Sequence, residues 1–145
     1  MNWRTEAADK LRRYESVCLA VKNLEAELRR LEEANRTIRT VRTDLVTVDR
    51  SVGRKEDHLL DNIVCQQELA AVLKDAKNWL AIMERAMDTV KAEERLLLKK
   101  FYISPGSECI EALCNQLGVE KSSVYRRRDQ ALRNFTLALY GPVES

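Results

Sequence analysis

LGVEKSSVYRRRDQAL, Leu117–Leu132, is the stretch on which the reading of this chain turns. It holds one glycine, a cluster of small polar residues and three successive arginines at the start of a helical pattern. The preceding segment, CIEALCNQL over 109–117, places Ile110, Leu113, Cys114 and Leu117 on one helical face. Gly118 stops that helix, because glycine takes the left-handed conformation that closes a helix C-terminus at little cost. Val119 follows as a buried turn residue. The last helix is expected from about Lys121 to Leu139 or Tyr140, ended by Gly141-Pro142. Helix, short glycine-bearing turn and second helix is the helix-turn-helix pattern.

Geometry gives the three arginines different roles. With Val124 pointing inward and each residue advancing about 100°, Ala131, Phe135 and Ala138 fall within about 40° of it, and Leu132 and Leu139 within about 80°. These residues make the expected core face. Ser122, Arg126, Asp129 and Arg133 fall on the opposite side. Arg126 aims outward near the helix start, where recognition helices meet base edges in the major groove, and an arginine there suits bidentate pairing to guanine. Arg127 and Arg128 fall at the core edge. Their stems must lie along it while the heads reach flanking phosphates or an acidic residue of the helix around 89–103. Lys121, Ser122 and Ser123 sit at the helix N-terminus, where backbone N–H groups and hydroxyls favour a phosphate. Tyr125 lies on one flank, suited to a phosphate or a base edge. The expected DNA-contacting set is therefore Lys121, Ser122, Ser123, Tyr125, Arg126, Arg127, Arg128 and Arg133. The competing reading is a solvated basic face on a structural helix, which the glycine turn and the helix before it disfavour.

Charge distribution agrees with a small DNA reader. The formal net charge is only +2, but residues 118–139 carry five Lys/Arg against two Asp/Glu. The basic excess of the C-terminal third is thus concentrated in one helix, a modest patch adequate for a small specific reader. The acidic excess lies upstream, where residues 58–94 carry four Lys/Arg against seven Asp/Glu.

Two long helical segments precede this region. The first, from about Thr5 to Arg42, carries Leu11, Tyr14, Cys18, Val21, Leu24, Leu28, Leu31, Ile38 and Val41 at steps of mostly three or four. Asn35 falls on that stripe, either as a polar seam residue that fixes register or at the edge of the seam. At ~1.5 Å per residue this helix is roughly 55 Å long, too long for a compact globule without a partner helix. The stretch 43–56, with Thr, Asp, Ser and Gly53, is expected to be a connector. The second segment, 57–88, carries Leu59, Ile63, Gln66, Ala70, Leu73, Ala76, Leu80, Met83 and Met87, a heptad pattern from Leu73 onward that continues to Val90. Trp79 stands one place off it. Two helices of similar length joined by a connector predict an antiparallel, coiled-coil-like hairpin over 1–88, with a second copy completing the bundle. Asp88-Thr89 is expected to cap the next helix, in which Leu97, Phe101 and Leu98 or Tyr102 face inward. Ser104-Pro105-Gly106-Ser107 ends it. The fold class is all-α, a long helical hairpin followed by a helix-turn-helix domain over 89–141. Charged residues at 33% with aromatics at 6% fit that class better than a sheet protein.

Several function classes recede. The four cysteines, Cys18, Cys65, Cys109 and Cys114, match no zinc spacing and fall on or near apolar stripes, so reduced buried thiols are expected and no metal or cofactor is. The N-terminus lacks a signal-peptide core, and no window approaches a membrane span, which places the expected chain in the cytoplasm, off membranes. One histidine, no glycine-rich phosphate loop and no clustered carboxylates leave no catalytic residues to assign and predict a non-enzyme. Glu32-Glu33 and Glu93-Glu94 are read as solvated surface pairs.

AEERLLLKKFY followed by IEALCNQLGVEKSSVYRRRDQALRNF resembles the fourth region of bacterial sigma factors, through Leu113, Leu117, Gly118, Val119, Ser123, Val124, Ala131 and Leu132. In overall layout the chain looks like phage late-gene regulators of the RinA/ArpU type, which also set long charged helices before such a C-terminal element. Three departures stand out: Glu120 where a serine cap is usual, Arg127 where an aliphatic is usual, and the longer loop ISPGSE. The resemblance implies a phage or prophage transcriptional regulator that binds double-stranded DNA; a homodimer or higher homo-oligomer through the long helices is expected, with RNA polymerase a further candidate partner. Two alternatives belong to other classes: a packaging component like the small terminase subunits, and a helical module that docks on RNA polymerase without touching DNA.

Overall fold

The computed structural model describes residues 1–44, 51–106 and 109–143, and the side chains of 1–38, 57–106 and 110–143. Among the described residues the protein is all-helical, with no strand. The helices are α1 (Trp3–Asp44), α2 (Ser51–Thr89), α3 (Ala92–Leu98), a π-helical turn (Lys99–Ile103), α4 (Cys109–Leu117) and α5 (Lys121–Tyr140). The chain divides into two compact units, Met1–Cys18 with Trp79–Ser145, and Leu19–Asn78.

α1 begins on an asparagine cap. Asn2 Oδ1 accepts the Thr5 N–H at 3.2 Å, satisfying one of the orphan donors of the first turn. α2 starts at Ser51, within the stretch expected to be a connector. Gly53 costs about 1 kcal/mol inside a helix, which the helix formers after it can offset. Of the expected connector 43–56, only 45–50 falls outside the described residues. α2 ends at Thr89, so Asp88-Thr89 does not cap α3. The Thr89 hydroxyl donates back to the Ala86 carbonyl at 2.7 Å, closing the last turn of α2. The N-cap of α3 is Lys91, extended at φ −64°, ψ 156° and without a side-chain cap bond. The break is set by Val90, which is buried as the chain turns there.

The first unit has two cores. The larger draws Ala7, Ala8 and Leu11 from α1, Met83 and Ala86 from α2, Val90, Leu98 from α3, and Ala131, Leu132 and Phe135 from α5. The smaller joins Leu97 of α3, Leu113 of α4 and Val124 of α5, with Phe101, Cys114, Leu117 and Val119 packed on it. Leu97 and Leu98 are adjacent yet serve different cores, so α3 ties the two together. The π-helical turn prolongs that division. The Ser104 N–H reaches the Lys99 carbonyl at 2.8 Å, and Phe101 goes to the smaller core while Tyr102 and Ile103 go to the larger. Trp79 packs on the larger core.

α5 does not keep one core face. Ala138, expected inside, is exposed, and Thr136 is buried instead, its hydroxyl donating to the Leu132 carbonyl at 2.7 Å. The second half of α5 turns toward the start of α1, where the Trp3 and Tyr140 rings lie 4.9 Å apart and Lys10 sits 4.6 Å over the Tyr140 ring. A helix that serves two cores in succession has two facing directions, which a single helical wheel cannot represent.

Tyr14 of α1 donates to Glu84 Oε1 of α2 at 3.2 Å. Burial, then Cys18 and the Glu84 carboxylate, push its pKa up to about 12. The folded protein thus favours neutral Tyr14. That contribution is complete below the ordinary tyrosine value and is lost as pH rises from there through the folded value. An absorbance titration of the tyrosinate band is expected to show a late-ionising phenol that Tyr14→Phe removes. A titration curve unchanged by Tyr14→Phe would contradict the placement.

In the second unit α1 and α2 pair in antiparallel register. Glu25 meets Lys77 at 3.0 Å and Asn35 Nδ2 donates to Gln66 Oε1 at 2.9 Å. Among its described side chains only Leu31, Asn35 and Leu59 are buried. Val21, Leu24, Leu28, Ile38, Ile63, Leu69, Leu73 and Ala76 are half-buried, because two helices share one seam and cannot enclose it. Leu69 takes the step between Gln66 and Leu73, and Ala70 is exposed. Both satisfy the three-four spacing, and the larger side chain covers more of the seam. Cys65, expected to be buried, is exposed, while Cys18 and Cys114 are half-buried and the Cys109 side chain lies outside the described ones.

Candidate nucleic-acid interface

The approach to α5 is built by its neighbours. α4 closes with the Val119 N–H on the Cys114 carbonyl at 3.2 Å and Gly118 at φ +66°. This six-to-one bond across a left-handed residue turns the chain sharply after Leu117. A Cβ at 118 would meet no atom within 4 Å, so glycine is required there by backbone conformation alone. Glu120 is the N-cap of α5, extended at φ −74°, ψ 161°, with no side-chain cap bond. The Val124 N–H bonds the Glu120 carbonyl at 3.1 Å, leaving the first-turn donors before it without a side-chain acceptor.

Val124 anchors the helix by full burial against Leu97 and Leu113. That fixes the rotation of α5 and sends Lys121, Ser122, Arg126, Asp129 and Arg133 to the exposed side. The Arg126 guanidinium donates to Ser123 Oγ at 2.9 Å, which holds it along the first turn. Lys121 and Arg133 make no ion pair with any described residue. Ser123, Tyr125, Arg127 and Arg128 are half-buried.

Arg127 and Arg128 are engaged by the protein itself. Arg127 pairs with Glu93 of α3. Arg128 lies 5.2 Å over the Phe101 ring and 5.1 Å over the Tyr125 ring, and meets Asp129 at 2.9 Å. The Phe101 and Tyr125 rings are 6.0 Å apart. A guanidinium that contacts both of two neighbouring rings helps hold them together and places the Tyr125 flank of α5 against the π-helical turn. The two arginines at the core edge therefore brace the helix, while Arg126 and Arg133 stand on its open side.

Glu93 and Glu94, read from the sequence as a solvated surface pair, also reach α5, Glu93 while exposed and Glu94 while half-buried. Glu93 holds Arg127, and Glu94 accepts the Asn134 amide at 3.0 and 3.1 Å. Their signal lies in the expectation that Arg127 and Arg128 reach flanking phosphates or an acid of that helix, but nothing in the spacing names which acid. Phe101 as a partner of Arg128 had no sequence signal, since it depends on the extra residue of the π-helical turn.

Among the described residues no group of three or more His, Cys, Asp or Glu side chains is placed to hold a metal, and no helix is long and apolar enough to cross a membrane. A groove of about 690 Å³ in the first unit is lined by Tyr14, Glu84, Met87, Arg95, Leu96 and Ile103 among others. It mixes both charge signs over an apolar floor and contains no histidine or cysteine. The chain matches no protein-family model, no curated protein and no solved structure, so the functional reading rests on the geometry of α5 and its supports.

Proposed function

We propose that this protein is a sequence-specific DNA-binding transcriptional regulator, phage or prophage encoded, in which α4 and α5 form a helix-turn-helix and α5 enters the major groove. The observation that carries the reading is the exposed side of α5. Val124 fixes the rotation that leaves Lys121, Ser122, Arg126 and Arg133 on one open side, and Lys121 and Arg133 have no ion pair with any described residue. Arg126 is the residue suited to guanine, Lys121 and Ser122 to a phosphate at the helix start, and Arg133 to a phosphate farther along. The long helices form a hairpin that joins two copies, and paired half-sites about one DNA turn apart are the corresponding operator geometry.

Selection of DNA fragments from the source genome on purified protein, with a moderate-salt wash, is expected to enrich one short site upstream of a gene block. On that site Arg126→Ala is expected to weaken binding by about 1–3 kcal/mol and to relax one base position. Lys121→Ala is expected to weaken all sequences alike and to reduce the salt slope by about 1. If Arg126→Ala leaves every DNA affinity unchanged, the arginine face is surface charge and the reading fails.

A further inference from the structure

Over residues 19–78 the helix pair has two unlike sides. One carries Lys22, Arg29, Arg36, Lys74 and Lys77 against Glu25, Glu32 and Glu33, an excess of base. The Glu25–Lys77 bridge crosses it, and a groove of about 530 Å³ lies there between Glu32, Arg36, Gln67 and Ala70. The other side differs. On α2, positions 58, 62, 65, 69, 72 and 76 step by four and three and include no Asp, Glu, Lys or Arg. On α1, positions 20, 24, 27, 31, 34 and 38 repeat the same steps, and their one charge, Glu27, is bound by Arg30 at 2.6 Å. The two rows share a side, because the Glu25–Lys77 bridge and the groove between Glu32, Arg36 and Gln67 bring the opposite flanks of the two helices together.

We propose that this uncharged side is the surface on which a second copy of the chain packs, giving a four-helix assembly. Three observations select that occupant. First, the seam within one chain is incomplete, with Leu24 and Leu69 only half-buried, and beside it Cys65 is exposed and Val72 is 53% exposed. Second, a two-fold contact sets a patch against itself, so a patch with an excess of one sign meets its own sign. The neutral side avoids that repulsion and the basic side does not. Third, about 25 residues of helix at ~1.5 Å each, two helices abreast at about 10 Å each, offer roughly 750 Å² a side, close to the ~800 Å² per partner of a stable dimer. Ala20, Ala34 and Ala76 are small enough to let the second pair of helices approach.

The proposal is independent of the DNA reading, and it is tested without DNA. Light scattering on the full chain at tens of micromolar is expected to give twice the chain mass of 16.7 kDa. Val72→Glu is expected to give the single-chain mass with unchanged far-ultraviolet circular dichroism, because Val72 lies outside the intrachain seam. Lys74→Glu, on the basic side, is expected to remain dimeric. Alkylation of Cys65, followed by peptide mass, is expected to slow as wild-type concentration rises and to be independent of concentration in Val72→Glu. A wild-type mass of one chain overturns the proposal and leaves the face to a different protein. A ring of many chains overturns the two-fold arrangement. A Val72→Glu chain that stays dimeric moves the interface elsewhere and overturns it too.

Discussion

Phe135→Ala is expected to cost about 3–5 kcal/mol and to loosen four helices together. Phe135 is fully buried, in a cluster fed by α1, α2, α3 and α5. Truncation removes the ring's transfer energy and leaves a cavity that these helices, held by one another, can only partly close. Against a total stability of about 5–15 kcal/mol for a domain, that is a large share. Urea unfolding is expected to show a lower midpoint with an unchanged slope, the mark of a stability loss without a change in exposed surface. Leu137→Ala is the control: two residues away and 53% exposed, it is expected to stay within about 0.5 kcal/mol of the parent. Equal midpoints for the two variants would mean that Phe135 is not the centre of this core.

Leu113→Ala is expected to cost about 2–5 kcal/mol, with a more local effect. Leu113 is the described side chain of α4 that is buried, at 1% exposure, and it holds the nine-residue helix against Leu97 and Val124. A helix that short is not stable without packing. Its loss is expected to free α4 while the Phe135 core persists, since the two cores share no buried residue. Amide hydrogen exchange resolves the difference: α4 amides should lose protection, while those around Phe135 keep theirs. Under the proposed function the variant also loses specific DNA binding with most of its helix content intact. A uniform rise in exchange along the chain would show that the two cores unfold as one.

Much of this architecture is legible in one dimension. The three-four steps of Leu11, Tyr14, Cys18, Val21 and Leu28 mark the inner side of α1, and Asn35 is found on the seam where the repeat places it. Gly118 is at positive φ because a sharp turn after Leu117 needs it. Leu97, Leu113 and Val124 meet as their spacing on three helices suggests. All of these follow from how apolar area is distributed about a helix's own axis, a property of local sequence.

Other features depend on which element covers that area. Ala138 and Thr136 exchange places because the second half of α5 meets the start of α1, more than a hundred residues earlier in the chain. Glu93 and Glu94 find partners because α5 brings Arg127 and Asn134 to them. Arg128 contacts both Phe101 and Tyr125 because a π-helical turn brings one ring beside the other. Leu69 displaces Ala70 from the seam, and α2 runs on through Asp88-Thr89, which were expected to begin the next helix, and ends only before Val90, for the same reason. Periodicity records that a side chain must be covered; the covering partner is chosen by contacts distant in sequence, and those form only when the helices have packed.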